Sequence, residues 1–505
     1  MTVVDFLTKC VTKKRYFIPL LAFLLPLLVR TIPEILVGPY VVGFDTMGFY
    51  VPITLAWLRG DIGVWDYFAI TPLLYALFVS LVSVGIPFIM SLKVLSVLLL
   101  GLLGLSIYYY AHKGLGWSPI KSLAPALLGT IYFVALRISW DMLRNELGII
   151  FLFVVLTLLT QIKAGSWKQY VILSLAMVAV VLSHQLVAAI MFVVVICIIS
   201  RELFYKKIRN SAALLGVTFP ALIFALLLYF IAIVPVGFQD YANLESPLAT
   251  WLGFSSYPAM LLSAAGFFLF CFLPLLPFVV IGFKRLGDFQ LRCWLISSSI
   301  LLLLPFAFVS PYRWLLLFVY PFAFFVTESL SCLKLVKWKR FKLTVQRFVI
   351  FYLVLSTCVL SFGYVFSSSE RPFVYFSTQY FNCYSNQIPT SMQQNTVPVA
   401  DFQSVVSTLQ WFKSNRADGE LLLTHAAFYS WALLAFDNDA LWYYDFGDPV
   451  EAALLAKQEG YAQVFLIWWT AGEGWYAQPS LSSVFQEVHR EGRIAIYFYG
   501  IDDDL

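Results

Sequence analysis

The chain has 505 residues, of which 61% are hydrophobic and only 12% charged, with a mean hydropathy of +0.83. Soluble domains carry roughly a quarter of their residues as charges, so the composition excludes a chain that is soluble throughout. The formal charge of +5 hides an opposition: residues 1–366 hold 27 Lys+Arg against 12 Asp+Glu, whereas residues 367–505 hold 6 against 16. The basic residues lie in short clusters between apolar runs, as beside a bilayer, and not along one face, which argues against a nucleic-acid partner.

Lys9, Lys13, Lys14 and Arg15 precede an apolar run with no small-x-small cleavage site after it, so the run reads as an uncleaved first helix. About 20 apolar residues cross a hydrocarbon core. On that measure the spans fall near 16–37, 88–111, 118–136, 143–162, 169–184, 185–200, 211–235, 258–283, 290–309, 311–330 and 345–366. The seven cysteines share no metal-ligand spacing and mostly lie in or beside these runs, as small hydrophobes would.

The polar stretch 367–398 reads as a linker, and the pattern then changes. Residues 401–416 look helical, and 420–424, 441–445, 461–469 and 493–500 look like strands. Between them GDPVEAALLAKQEG (447–460) has Asp448 as helix cap, Pro449 at the first position and Gly460 as terminator. Strands alternating with helices imply a small α/β domain. The fold class is therefore a polytopic α-helical membrane protein of about 11 transmembrane helices with a C-terminal soluble domain. Its expected parts are 1–366 (membrane domain, first outer loop 38–87), 367–398 (linker) and 399–505 (α/β domain).

The stretch AITPLLYALFVSLVSVG (69–85) could cross or lie in the interface. If it does not cross, the loops hold 21 Lys+Arg inside and 6 outside; if it does, 8 and 19. The excess of Lys and Arg in cytoplasmic loops favours the first arrangement. It gives a cytoplasmic N-terminus and an extracytoplasmic C-terminal domain.

That topology places Glu34, Asp45, Asp61, Asp66, Asp141, Glu146, Asp240 and Glu245 on the outer side, eight of the 12 acidic residues in the membrane half. Two segments stand out: GPYVVGFDTMGFYVP (38–52), and RISWDMLRNELG (137–148), with four alternating charges in a loop too short to be a domain. Such charges at a membrane boundary are costly unless solvated, paired or used. A carboxylate such as Asp45 can accept a proton from a hydroxyl nucleophile. Asp141 can orient it or bind a sugar hydroxyl, and Arg137, Arg144 and Arg313 suit phosphate oxygens. Arg313 also stands at an outer helix start, where the dipole does not favour a cation. His184, at an outer helix end, reads either as a satisfied end residue or as a sugar or phosphate contact.

In order along residues 16–200, GFDTMGFY, the PLLYAL helix, Lys93 in MSLKVLSVLLLGLL, the AHKGLG turn and RISWDMLRNELGIIFLF resemble the GT-C glycosyltransferases. These multi-span enzymes use polyprenyl-phosphate sugars and include protein O-mannosyltransferases, lipid A aminoarabinose transferases and oligosaccharyltransferase catalytic subunits. The resemblance matches Asp45 to the first-loop acid and Asp141 to the second-loop acid, and implies a non-crossing helix after the first loop. The first loop has GFDT where many relatives have adjacent Asp-Glu, the second offers only Asp141 where oligosaccharyltransferases show two acidic residues two apart, and WYYDFG (442–447) lies too deep in its domain to match the oligosaccharyltransferase acceptor motif.

The resemblance implies sugar transfer from a polyprenyl- or dolichyl-phosphate donor to a protein, lipid or glycan acceptor on the outer face of the cell membrane. Asp45 and Asp141 would be catalytic, and Tyr50, Arg137, Arg144, Glu146, His184 and Arg313 would bind substrate. No cofactor is required, although a divalent cation is compatible with the carboxylates. A transporter or flippase of a lipid-linked saccharide is the alternative; against it stand the gathering of charge at one face and the lack of an internal repeat.

Overall fold

A computed structural model describes residues 14–62, 71–162, 166–231, 256–303, 311–333, 345–368, 370–377, 388–436, 440–444, 448–471 and 481–500. Asp66, Asp240 and Glu245 lie outside the described residues, as do 445–447 of WYYDFG. Packing divides the chain into two units. One comprises 1–32, 62–365 and 373–389, and the other 33–61, 366–372 and 390–505.

The first unit is a helical membrane body. Seven described helices are long and apolar enough to cross a bilayer: Phe17–Leu36, Phe88–Gly114, Leu143–Gln161, Gln185–Phe204, Ile208–Leu228, Tyr312–Ser331 and Val345–Phe366. Two further pairs, Pro119–Ile131 with Phe133–Asp141 and Tyr257–Phe272 with Leu276–Arg285, are bent by 58° and 88° and bring the number to nine if each is one span. These nine fall on nine of the eleven expected positions. The remaining two hold the shorter helices Trp167–Ser183 and Phe289–Leu303. Leu73–Ser83, with 11 residues, reaches about 16 Å at 1.5 Å per residue, roughly half a hydrocarbon core.

Apolar side chains face outward as well as inward. Leu215, Phe219, Leu222 and Leu226 are exposed along one helix and Phe348, Phe351, Val354 and Leu355 along another, a surface suited to lipid. Inside, small residues let backbones touch. A Cβ on Gly104 would sit 2.2 Å from the Ala22 carbonyl oxygen, and one on Gly282 would sit 1.7 Å from that of Phe325.

The second unit is built on a five-stranded sheet of order β2-β1-β3-β5-β4. Strand β1 (Glu420–His425) pairs in parallel with β2 (Leu441–Tyr444) and β3 (Gln463–Trp469). Strand β5 (Ile494–Tyr499) then runs antiparallel to β3 and to β4 (Phe485–Glu491). Helices Phe402–Asn415, Ala426–Ala435 and Pro449–Gln458 connect and cover it. The Asp448 carboxylate accepts from Val450 N at 2.9 Å, with Pro449 opening the helix. Trp468 and Trp469 are buried; Trp469 packs on Phe428, with ring centroids 4.4 Å apart, and donates to Asp401 at 3.1 Å. Arg493 completes that buried group with an ion pair to Asp401 at 2.9 Å.

Residues 33–61 and 390–397 fold into this unit with the sheet. Part of the stretch expected as a linker is thus interior: Ser391, Met392, Asn395, Thr396 and Val397 are fully buried. Its polar side chains are what allow burial, because they satisfy an irregular backbone that makes no ladder.

Candidate functional site

The membrane unit gathers six of the expected residues. In Phe133–Asp141 every side chain is buried, and Arg137 pairs with Asp141 one turn along, their side chains 5% and 4% exposed. The Arg137 guanidinium also lies 5.0 Å from the Trp140 ring centroid. The span is broken just before this helix, at Tyr132, whose extended backbone (ψ 138°) separates it from Pro119–Ile131. The break makes Phe133–Asp141 a short helix that carries two charges inside the bundle.

The next helix, Leu143–Gln161, opens with Arg144, Asn145 and Glu146. Arg144 donates to the Thr71 hydroxyl at 3.2 Å; Thr71 is buried and holds a left-handed φ of 53°, which a β-branched residue adopts only under constraint. Glu146 is fully buried, and neither carboxylate oxygen has a hydrogen-bond partner among the described residues; the same is true of Asn145 Nδ2 and the Tyr320 hydroxyl. Glu146 does lie within electrostatic reach of Arg30 and Tyr320.

His184 caps the Gln185–Phe204 helix: its Nδ1 accepts from Leu186 N at 3.1 Å, which places the neutral ring's proton on Nε2. It also feels Arg144 and Arg313. Of its two readings, the helix-end role is therefore filled, next to two guanidiniums. Arg313, half-buried, donates to the Tyr312 hydroxyl at 3.0 Å, and Tyr312 acts in turn on Arg137.

Arg30, Tyr312, Tyr320 and Tyr364 belong to the same neighbourhood and were not among the expected site residues. Arg30 is fully buried, and its Nε donates to the Ser139 carbonyl at 3.1 Å. Tyr364 lies in the field of Arg137, Asp141 and Arg30. A lone arginine inside the apolar run LLVRTIPEIL is the signal that marks Arg30; the tyrosines carry none. Of the guanidiniums, Arg30 and Arg137 are buried and Arg144 and Arg313 half-buried; Asp141 and Glu146 are buried carboxylates. Among the described residues, no three His, Cys, Asp or Glu side chains come together as a metal site.

Asp45 and Tyr50 lie in the other unit. Asp45 is half-buried and precedes a π-helical turn, Thr46–Tyr50, that runs into the helix Val51–Arg59; its carboxylate makes no capping bond. Tyr50 is buried. π-turns of this kind recur at functional sites.

No family model and no curated protein match the chain. Among solved structures, it superposes on the crystal structure of ArnT from Cupriavidus metallidurans bound to undecaprenyl phosphate, at 10% identity and a TM-score of 0.47 over 99% of each chain.

Proposed function

We propose that this multi-pass membrane protein is a glycosyltransferase of the GT-C type. It moves a sugar from a polyprenyl- or dolichyl-phosphate donor to an acceptor hydroxyl or amine at the outer face of the membrane. The observation that carries the reading is the gathering of charge inside the helical unit: Arg137 pairs with Asp141, Arg30 is buried against the Ser139 carbonyl, and Arg144 and Arg313 are half-buried. Charges held inside a membrane body are costly and mark a functional site by default. In a body surfaced by apolar side chains, a lipid phosphate is the anion that fits, and forked guanidinium bonds suit it.

The chemistry gives these cations a use beyond binding. A phosphodiester donor carries one negative charge, and the departing lipid phosphate carries two near neutral pH. As the bond between the anomeric carbon and the phosphate oxygen breaks, charge grows on the phosphate, and prepositioned cations stabilise the transition state more than the ground state. Asp45 takes the proton from the attacking acceptor group, which forms the new bond to the anomeric carbon. The Glu146 carboxylate and Asn145 Nδ2, which have no hydrogen-bond partner among the described residues, are suited to sugar hydroxyls, since buried polar groups of this kind are ordinarily hydrogen-bonded. Asp141 holds Arg137 in place.

The test is transfer from a panel of undecaprenyl-phosphate hexoses and pentoses, with membranes of the source cell as acceptor, comparing the native protein with Asp45→Asn. Loss of transfer with retained donor binding is expected. Full transfer by Asp45→Asn would remove the base from the scheme. Movement of the intact lipid-saccharide across vesicles without release of lipid phosphate would identify a flippase instead.

A further inference from the structure

The loop that carries Asp45 is not held by its own turn alone. It is tied at several points to the buried segment 394–396, which arrives from the far end of the chain. Asn395 is fully buried and uses both ends of its amide: Nδ2 donates to the Val41 carbonyl at 2.9 Å, and Oδ1 accepts from Val397 N at 3.2 Å. Next to it, the Gln394 carbonyl accepts from Gly43 N at 3.0 Å. Gly43 turns the chain with a φ of +104°, a conformation that side-chain-bearing residues rarely adopt. Its own carbonyl accepts from Met47 N at 3.1 Å, which starts the turn containing Asp45.

Beyond the turn, Thr396 packs against Gly48: its methyl carbon is 3.5 Å from where a Cβ would stand. The Thr396 hydroxyl donates to the Ala427 carbonyl at 2.7 Å and accepts from Trp431 Nε1 at 3.1 Å, so this contact is itself fixed to the sheet domain. Asp45 thus lies between two anchored points, Gly43 and Gly48. With no capping bond from its own side chain, its position is set by those backbone anchors.

We infer that Asn395 is a positioning residue for Asp45, and that the C-terminal domain acts in the reaction by fixing where the base stands. This inference rests on the reading of Asp45 as the base. Near-attack geometry is steep in distance: a misplacement of about 1 Å can cost on the order of 10²-fold in rate. A loop released from Asn395 would therefore lower turnover while leaving the donor's phosphate binding untouched.

The experiment uses the full chain with Asn395→Ala and Asn395→Asp. The aspartate keeps an acceptor for Val397 N, removes the donor to Val41 and sets a carboxylate oxygen against that carbonyl. Arg493→Met, which breaks the Asp401 ion pair elsewhere in the same domain, serves as the control for a general loss of stability. Two readouts are taken: turnover of the undecaprenyl-phosphate sugars, with KM and kcat separated, and hydrogen exchange of the 41–48 segment against that of the sheet.

The expected result is a fall of about 10–100-fold in kcat at unchanged donor KM, with faster exchange confined to 41–48, in both Asn395 variants and not in Arg493→Met. Unchanged exchange at 41–48, or equal kcat losses in all three variants, overturns the inference. If Asp45→Asn is inactive while the Asn395 variants keep native kcat, the positioning role alone fails. If Asp45→Asn is fully active, the assignment of the base fails, and exchange at 41–48 still decides whether Asn395 holds the loop.

Discussion

Arg137 and Asp141 form an ion pair one helical turn apart, on a helix whose every side chain is buried. Such a pair contributes little net stability over a well-packed apolar pair, yet losing one member strands the other charge. Asp141→Leu alone is expected to destabilise the protein by about 3–5 kcal/mol, and the double variant Arg137→Met/Asp141→Leu to recover most of that loss. Thermal unfolding in detergent checks both. The double variant should fold and still fail in transfer; equal melting of single and double variants would show that the pair is not coupled.

Arg144 reaches Thr71 across the unit, and its guanidinium is among those proposed to meet the lipid phosphate. Arg144→Gln should weaken undecaprenyl-phosphate binding by roughly 10–100-fold, matching about 1.5–3 kcal/mol for a charge-assisted hydrogen bond. Titration with the lipid phosphate measures it. An unchanged Kd would move the phosphate site away from this arginine.

His425 caps the Ala426–Ala435 helix through Nδ1, and burial pushes its pKa down to about 4. The ordinary value is about 6.5, so the unfolded chain takes up a proton first as pH falls. The fold keeps its full stability above pH 6.5 and loses on the order of 3 kcal/mol as pH drops from there towards 4. Asn in place of His425 preserves a helix cap and removes the titration. The difference in melting temperature between His425→Asn and the native protein should therefore shift in favour of the variant across that window. A pH-independent difference would refute the assignment.

Gly282 and Gly216 make an opposed pair. A Cβ on Gly282 would meet the Phe325 carbonyl at 1.7 Å, whereas one on Gly216 would meet nothing within 4 Å. Gly282→Ala should destabilise by about 1–3 kcal/mol or more through overpacking. Gly216→Ala, in the helix Ile208–Ile231, should stabilise by up to about 1 kcal/mol. Melting curves of the two variants should move in opposite directions.

The membrane helices were legible because lipid leaves the backbone no other partner, so each crossing needs its own apolar run. In the C-terminal domain Asp448, Pro449 and Gly460 marked a helix through local capping, which the sequence displays directly. Two elements carried no such mark. AAFYSWALLA (426–435) is apolar nearly throughout and shows neither period clearly, and its cap is a histidine. FQEVHRE (485–491) is an edge strand whose exposed residues include Glu487 and Glu491; charge protects edges and obscures the strand pattern. The same division holds at the candidate site. Arg137 and Asp141 were visible as neighbours four apart, whereas the bond from Arg30 to Ser139 spans 109 residues and no local pattern announces it.

The tie from Asn395 to Val41 joins residues 354 apart in sequence. Ribosomes add about 5–20 residues per second, so the first loop waits on the order of 20–70 s for the segment that completes it. Through that interval nearly the whole helical body is synthesised while the loop lacks its final partners. Premature termination after residue 366 and before residue 390 would leave every span encoded and the Asp45 loop without its anchor, so an intact membrane half would be assembled but unfinished.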